Sequence, residues 1–259
     1  MKKILILILS LIGVGLPSGA SASAETISIL SYHNHAPFVT SPGRGLTFDL
    51  AQMLNRQAAG RYLFQVKIIP RSRLNDSLKD WIAGTCPGKG CSQDWIVPWV
   101  NPKWGFIKGD HDNYQWKTLF KDSNSIVSHS EDSFTYATPD SLAGKVFAGM
   151  RGHHYVGIDE LVTAGQITRI DGNRERDNLL KVLRNRVTAT LMPTSTLDYL
   201  LQQDSVLKEQ AERFHVSVTK HQIYTRYLML PETRLDLFEF VNALPEHELE
   251  SVTPQQKSL

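Results

Sequence analysis

Long apolar runs are scarce in this chain of 259 residues. The longest, residues 4–14, is shorter than the roughly 18–20 residues that a membrane-spanning helix needs. Lys2 and Lys3 precede this run and the small residues 22–24 follow it, which is the pattern of an export signal with its cleavage site. We therefore expect residues 1–24 to be a signal peptide that is removed after secretion.

An excess of charge of one sign is also absent. The chain has 28 Lys and Arg against 26 Asp and Glu, and its net charge of +2 equals that of Lys2 and Lys3 in the expected signal peptide. Proteins that bind nucleic acids or anionic membranes hold phosphates with an excess of basic side chains. We therefore expect neither nucleic acid nor a membrane surface as a partner.

Cysteine is limited to Cys86 and Cys91, which flank a short segment containing proline and two glycines. A secreted protein meets an oxidising compartment, and Pro and Gly allow so short a segment to fold back on itself. A disulfide between the two cysteines is the expectation. The alternative is a redox dithiol or a metal pair, but the C-x-x-C spacing that tunes such thiols is missing.

Catalytic signatures are missing too. The sequence has no G-x-S-x-G elbow, phosphate-binding loop, H-E-x-x-H motif or Cys/His pair. The adjacent carboxylates Glu131 and Asp132 could in principle act as acid and base, but we expect them to face solvent. The sequence therefore predicts neither catalysis nor a cofactor, and an enzyme is kept as the alternative.

What the sequence does contain is an alternation of strand and helix patterns, which indicates an α/β protein. Its length exceeds the roughly 100–150 residues of a typical domain, which favours two lobes. Two short extended pieces, 125–128 and 134–137, are expected where the chain crosses between them. The predicted strands are 26–32, 62–69, 95–100, 145–150, 167–170, 189–192, 214–218 and 224–230, and the predicted helices are 46–58, 74–82, 155–164, 174–184, a helix from 197, and 234–244.

The order of short motifs along the chain resembles the family 3 extracellular solute-binding proteins, the periplasmic binding proteins for polar amino acids. The motifs are Tyr32, APF at 36–38, GLTFDLA at 45–51, LAGKV at 142–146, MRG at 150–152, the segment 178–192 and VNAL at 241–244. The resemblance spans nearly all of the mature chain.

This resemblance implies a two-lobed periplasmic binding protein-like fold of type II, with two α/β lobes joined by a short hinge. Lobe 1 is expected to comprise residues 25–127 and 222–259, and lobe 2 residues 128–221. It also implies a periplasmic monomer that closes around a small-molecule ligand. An inner-membrane permease of an ABC transporter, or a membrane sensor, would then read the closed form; an interaction or sensor protein that has lost transport is the alternative.

Two departures from the family pattern concern the ligand. The segment 99–104 ends in an arginine in the amino-acid binders, where its guanidinium grips the ligand carboxylate, but here Trp104 stands at that place. An indole cannot form such a bidentate charged pair. The family's second-lobe aspartate, which pairs with the ligand ammonium, is replaced by Pro193. The ligand is therefore not expected to be a standard α-amino acid.

The resemblance also implies which residues face the cleft. Aromatic rings with a few hydrogen-bonding groups favour a ligand that is ring-bearing, cationic or largely apolar, although each aromatic could equally belong to the core. The implied residues are Tyr32, His33, Phe38, Trp99, Asn101 and Trp104 in lobe 1, and Arg151, Gly152, His153, His154, Tyr155 and Thr194 in lobe 2.

The histidines raise the question of a metal. His33 and His35 share a face of an extended segment, and His153 and His154 belong to the opposite lobe, so four imidazoles could meet across the cleft and bind zinc or copper. Adjacent histidines point apart in most conformations, and no carboxylate nearby completes the set. We expect no metal, with the metal site kept as an open alternative.

Overall fold

A computed structural model describes residues 23–86, 91–107 and 111–254. Residues 1–22 of the expected signal peptide lie outside the described residues. Within the described ranges, no helix combines the length and the apolar character that crossing a membrane requires.

The predicted α/β class is confirmed. The described residues form nine strands and eight α-helices. The strands are β1 Glu25–Ser31, β2 Tyr62–Ile68, β3 Trp95–Val100, β4 Tyr114–His129, β5 Val146–Met150, β6 Thr168–Gly172, β7 Ala189–Pro193, β8 Phe214–Val216 and β9 Gln222–Pro231. The helices are α1 Leu46–Ala58, α2 Arg71–Ala83, α3 Ile158–Thr163, α4 Glu175–Leu183, α5 Thr194–Gln203, α6 Ser205–Glu209, α7 Leu235–Asn242 and α8 Glu246–Ser251.

The sheet has parallel strands at both ends and antiparallel strands in its middle. The strand order is β2-β1-β3-β9-β4-β7-β5-β6, with β8 paired to β4. Strand β1 pairs in parallel with β2 and β3, and β5 pairs in parallel with β6 and β7. The central strands β4 and β9 run antiparallel to each other over most of their length. Each end of the sheet is therefore an α/β unit, and β4 and β9 connect them.

The buried apolar side chains also form separate groups at the two ends of the sheet. Within the described ranges, two hydrophobic clusters draw on residues 27–114 and 228–252. Two other clusters draw on residues 126–214. Two separate cores of this kind are what two lobes require, since each must bury enough apolar surface to be stable.

Helix α1 illustrates how the sequence sets these elements. Leu50, Met53 and Leu54 are buried at helical spacing, and burying each such side chain contributes about 1.5–3 kcal/mol. The helix ends where Ala59 takes a left-handed conformation, φ 48°, and Gly60 follows it in a conformation that also has positive φ.

Strand β4 differs from the sequence expectation. The structure has one strand of 16 residues, Tyr114–His129, where short pieces at 125–128 and 134–137 were predicted; residues 134–137 are not in a strand. The strand exchanges β9 for β7 and β8 as partners along its length. Because its two faces meet different surroundings in the two lobes, no single alternation of apolar and polar residues runs through it.

The segment between β2 and β3 contains the predicted disulfide, and its helix begins earlier than predicted. The disulfide between Cys86 and Cys91 is present, as expected. Helix α2 begins at Arg71, three residues before the predicted start. Near the carboxyl end, the residues after the last predicted helix form α8, whose Leu249 is buried in the lobe 1 core.

Candidate functional site

A cleft of about 1150 Å³ lies between the two lobes. Its lobe 1 wall comes from the loops that follow β1 and β3, and its lobe 2 wall from the segments that follow β5, β6 and β7. Residues 221–227, at the start of β9, also line it. The space outside the carboxyl ends of parallel strands is where α/β proteins commonly bind ligands.

Seven of the residues implied by the family resemblance line this cleft. They come from both lobes, so a molecule held between them would touch each side. They are Tyr32, His33, Asn101, Trp104, His153, His154 and Tyr155.

Phe38 and Trp99 are not on the cleft surface, which differs from the expectation. Both are fully buried, with ring centroids 5.3 Å apart. The pairing of β3 with β9 is irregular around Trp99, which has φ 70°, and the indole Nε1 donates to Thr47 Oγ1 at 3.0 Å. The irregularity turns the indole into the lobe 1 core, so both rings support the cleft wall from beneath.

Thr194, Arg151 and Gly152 also lie outside the cleft lining. The Thr194 hydroxyl is 2.6 Å from that of Ser123, on the central strand β4, and lines a separate pocket. Arg151 and Gly152 are exposed, and the Arg151 guanidinium donates to Asn173 Oδ1 at 3.1 Å. Helix α3 begins only at Ile158, so no helix amino terminus follows Gly152 directly.

The aromatic surface of the cleft is held in place from behind by Arg71. Its Nη1 donates to the Tyr32 hydroxyl at 2.9 Å and its Nη2 to the Trp104 carbonyl at 2.7 Å. Trp104 meets Tyr224 edge to face, with ring centroids 5.2 Å apart. The cleft therefore presents Tyr32, Trp104 and Tyr224 as fixed rings, which can contact an apolar or cationic group.

Arg226 is a cleft residue that sequence reasoning missed. It projects from β9, its side chain is 1% exposed, and its Nε donates to Asp122 Oδ2 at 2.7 Å. Its Nη1 donates to the Trp99 carbonyl at 2.8 Å. The only sequence signal is that Arg226 is the one charged residue of β9, and a buried charge needs a partner.

Asp122 is that partner, and it reaches lobe 2 as well. Its carboxylate accepts hydrogen bonds from the backbone N–H of Ser195, at 3.2 Å, and from the Ser195 hydroxyl, at 2.8 Å. Ser195 lies at the start of α5, so this contact joins the central strands β4 and β9 to lobe 2. Because Asp122 neutralises Arg226, that guanidinium is not an uncompensated cation waiting for a ligand carboxylate.

His33, which lines the cleft, has an unpartnered buried nitrogen. Its side chain is buried, and Nε2 has no hydrogen-bond partner among the described residues. Burial, and next the positive charge of Arg226, hold the pKa of His33 well below its ordinary 6.5. The imidazole is therefore neutral at neutral pH and can give a ligand either a lone pair or an N–H, depending on its tautomer.

The lowered pKa of His33 predicts a loss of stability on the acid side. The unfolded chain takes up a proton near the ordinary pKa whereas the folded chain does not, so the contribution of His33 is full above about pH 6.5 and falls as the pH drops toward the folded pKa. Thermal unfolding between about pH 7 and 5 measures this, and His33→Asn is expected to flatten the fall in Tm. Burial also lowers the pKa of His153 and His221. The fall in Tm with decreasing pH is therefore expected to be smaller in His33→Asn but still present.

The matched control for this experiment is His247→Asn. His247 is exposed in α8, and this variant is expected to keep the wild-type dependence of Tm on pH. An unchanged slope in His33→Asn would contradict the assignment of a neutral buried imidazole.

A metal centre is not formed by the described residues. Although the rings of His33 and His35 lie 5.6 Å apart, no group of three or more His, Cys, Asp or Glu side chains in the described ranges is arranged to hold a metal ion. His154 instead pairs with Asp159, at 3.3 Å, on the lobe 2 surface.

Comparison of sequences gives no relative: no protein-family model and no curated protein matches the chain. Comparison of folds finds solved structures that are clearly similar. A periplasmic binding protein of an arginine transport system from Legionella pneumophila has a TM-score of 0.58 and 15% identity over 88% of this chain and 95% of that one. The GluR0 ligand-binding core with L-glutamate has a TM-score of 0.58 and 14% identity over 90% and 97%. Holo ArgBP from T. maritima has a TM-score of 0.57 and 15% identity over 87% and 90%.

These similarities concern the fold. They confirm the two-lobed, type II periplasmic-binding-protein fold that the sequence motifs predicted. At such low identity the side chains that contact ligand in those proteins do not transfer to this one, and the cleft has to be interpreted from its own residues.

Proposed function

We propose that the mature chain is a periplasmic solute-binding protein whose lobes close around a small molecule other than a standard α-amino acid. The observation that carries the proposal is the large cleft lined by residues of both lobes. A ligand that touches both walls binds the closed form better than the open form, and this difference in affinity shifts the equilibrium toward closure.

The proposed hinge consists of β4 and β9. We divide the chain into lobe 1, residues 25–127 and 222–259, and lobe 2, residues 128–221. The two hydrophobic clusters of each half share few side chains across this division. Two strands that pass between separate cores allow the lobes to rotate while each core stays intact.

The exclusion of standard α-amino acids rests on charge. Trp104 and Pro193 both line the cleft, and neither carries a charge that could form an ion pair with an α-carboxylate or an α-ammonium group. The guanidinium of Arg226 lies in the same cleft, but its charge is compensated by Asp122. A zwitterionic ligand would therefore bury at least its carboxylate without a free cation to receive it.

The proposed partner is an inner-membrane permease or sensor that reads the closed form. The second candidate, a protein that keeps this shape for interaction or sensing alone, is favoured by the loss of both charged anchors at Trp104 and Pro193. Catalysis is not part of the proposal: Glu131 and Asp132 are exposed and do not line the cleft.

A thermal-shift panel tests the proposed function. It covers amino acids, amines, sugars, aromatic acids and divalent metals, because a compound that binds only the folded chain raises Tm by mass action. We expect a non-amino-acid small molecule to give the largest increase. The largest increase from an α-amino acid would contradict the ligand class, and conversion of any compound to a product would contradict the assignment as a binding protein.

A further inference from the structure

Glu175 is a mostly buried residue whose carboxylate has no partner among the described residues. It is the first residue of α4, its exposed fraction is 6%, and it lines the cleft. Among the described residues, no hydrogen bond or ion pair to its side chain is formed. An acid in the first turn of a helix is favoured by the helix dipole, but that interaction does not require burial. Asp177, in the same turn, is more exposed and pairs with Arg174 at 2.9 Å.

The cations around the cleft are already compensated or lie in solvent. Arg226 pairs with Asp122, Arg174 with Asp177, and Arg176 with Asp204. Lys103 also lines the cleft, but its side chain is exposed at the lobe 1 rim. The negative charge of Glu175 is thus left inside the cleft without a buried counter-ion from the described chain.

The histidines near Glu175 do not supply that counter-ion. Glu175 acts electrostatically on His153, yet burial dominates and lowers the pKa of His153. His33 in turn lies within electrostatic range of His153, and its pKa is lowered further. Both imidazoles are neutral near neutral pH, and the unpartnered Nε2 of His33 is buried in the wall of the same cleft.

A carboxylate that faces a partly desolvated cleft without a counter-ion favours a ligand that supplies a cation. From the position of Glu175 and His33 in one cleft, we propose that the ligand is an organic monocation: a protonated amine or amidine on an apolar or aromatic body. Its nitrogen pairs with the Glu175 carboxylate, and its body lies against the rings of Tyr32, Trp104 and Tyr224. This inference rests on the proposed solute-binding function.

Three probes of similar shape and different charge test the inference. They are phenethylamine, phenylalanine and 3-phenylpropionate, a cation, a zwitterion and an anion, titrated into the mature protein by isothermal calorimetry at neutral pH. We expect phenethylamine to bind and the other two to bind at least about tenfold more weakly, since a hydrogen bond to a charged group is worth that factor or more.

The Glu175→Gln variant isolates the carboxylate, because glutamine keeps the shape and removes the charge. We expect it to lower the affinity for phenethylamine by about tenfold or more while circular dichroism shows an unchanged fold. The matched control is Glu160→Gln, an exposed acid in the first turn of α3 outside the cleft lining, which is expected to bind phenethylamine as the wild type does.

The outcomes separate the ligand class from the function. Tighter binding of phenylalanine or 3-phenylpropionate, an unaffected Glu175→Gln variant, or no binding of phenethylamine would each overturn the assignment of a cationic ligand. None of these results would contradict the proposed closure of the lobes. Small-angle scattering measures closure independently, with any ligand that binds.

Discussion

Asp122→Ala is expected to lower the free energy of unfolding by about 3–5 kcal/mol, the cost of leaving a buried charge unpaired. Both side chains of the Asp122–Arg226 pair are 1% exposed. The variant removes the counter-ion of Arg226 and also the acceptor for the Ser195 backbone N–H and hydroxyl. Urea unfolding followed by circular dichroism measures the change.

Two further variants test the reason given for this loss. Asp177→Ala breaks an exposed ion pair with Arg174 and is expected to cost less than about 1 kcal/mol. The double variant Asp122→Ala with Arg226→Met removes both charges and is expected to recover much of the loss, because apolar replacements of buried pairs are often tolerated. A double variant as unstable as Asp122→Ala would contradict the electrostatic explanation.

Phe38→Ala is expected to cost about 3–5 kcal/mol, the range for removing a buried aromatic ring. Phe38 is fully buried, and its ring lies 5.1 Å from that of His33 and 4.7 Å below the guanidinium of Arg226. The variant therefore leaves a cavity directly beneath the cleft wall. Denaturant unfolding gives the loss of stability, and titration with phenethylamine gives the loss of affinity.

The control for this prediction is Phe38→Leu, which keeps most of the buried apolar volume. A smaller loss is expected, since volume-conserving apolar replacements cost less than truncation to alanine. If Phe38→Ala destabilised the chain no more than Phe38→Leu, the ring would not be a support of the cleft wall, and the alternative that it is a cleft surface residue would have to be reopened.

The two walls of the cleft differ in whether their buried charges are compensated. Arg226 occupies space close to Trp104, its guanidinium 5.4 Å from the ring centroid, but Asp122 compensates it. Glu175 lies on the opposite wall without compensation from the described residues. The uncompensated charge in this cleft is therefore negative, whereas it would be positive in a cleft built around an unpaired arginine. This difference underlies both the exclusion of α-amino acids and the proposed cationic ligand.

Much of the fold could be predicted from local sequence patterns. Helix α1 and strand β3 have their predicted bounds, because the periodic apolar residues of the one and the continuous apolar run of the other reflect burial directly. The family motifs then predicted the two-lobed fold, since their order along the chain follows the order of its elements. Seven cleft residues were named by the same reasoning.

The remaining features depend on partners far away in the sequence. Strand β4 was missed because it borders different surroundings in the two lobes. Arg226 was missed because its partner Asp122 lies 104 residues away, and Glu175 because a first-turn acid is ordinary in sequence and only its burial in the cleft sets it apart. Trp99 was expected on the cleft surface, but its backbone conformation turns the ring into the core.

Small-angle scattering tests the central claim most directly. The mature chain is measured alone and when saturated with the compound that gives the largest thermal shift, with saturation verified by calorimetry. Movement of the lobes toward each other about β4 and β9 predicts a smaller radius of gyration in the saturated sample. A radius that stays the same at verified saturation would contradict closure around a ligand.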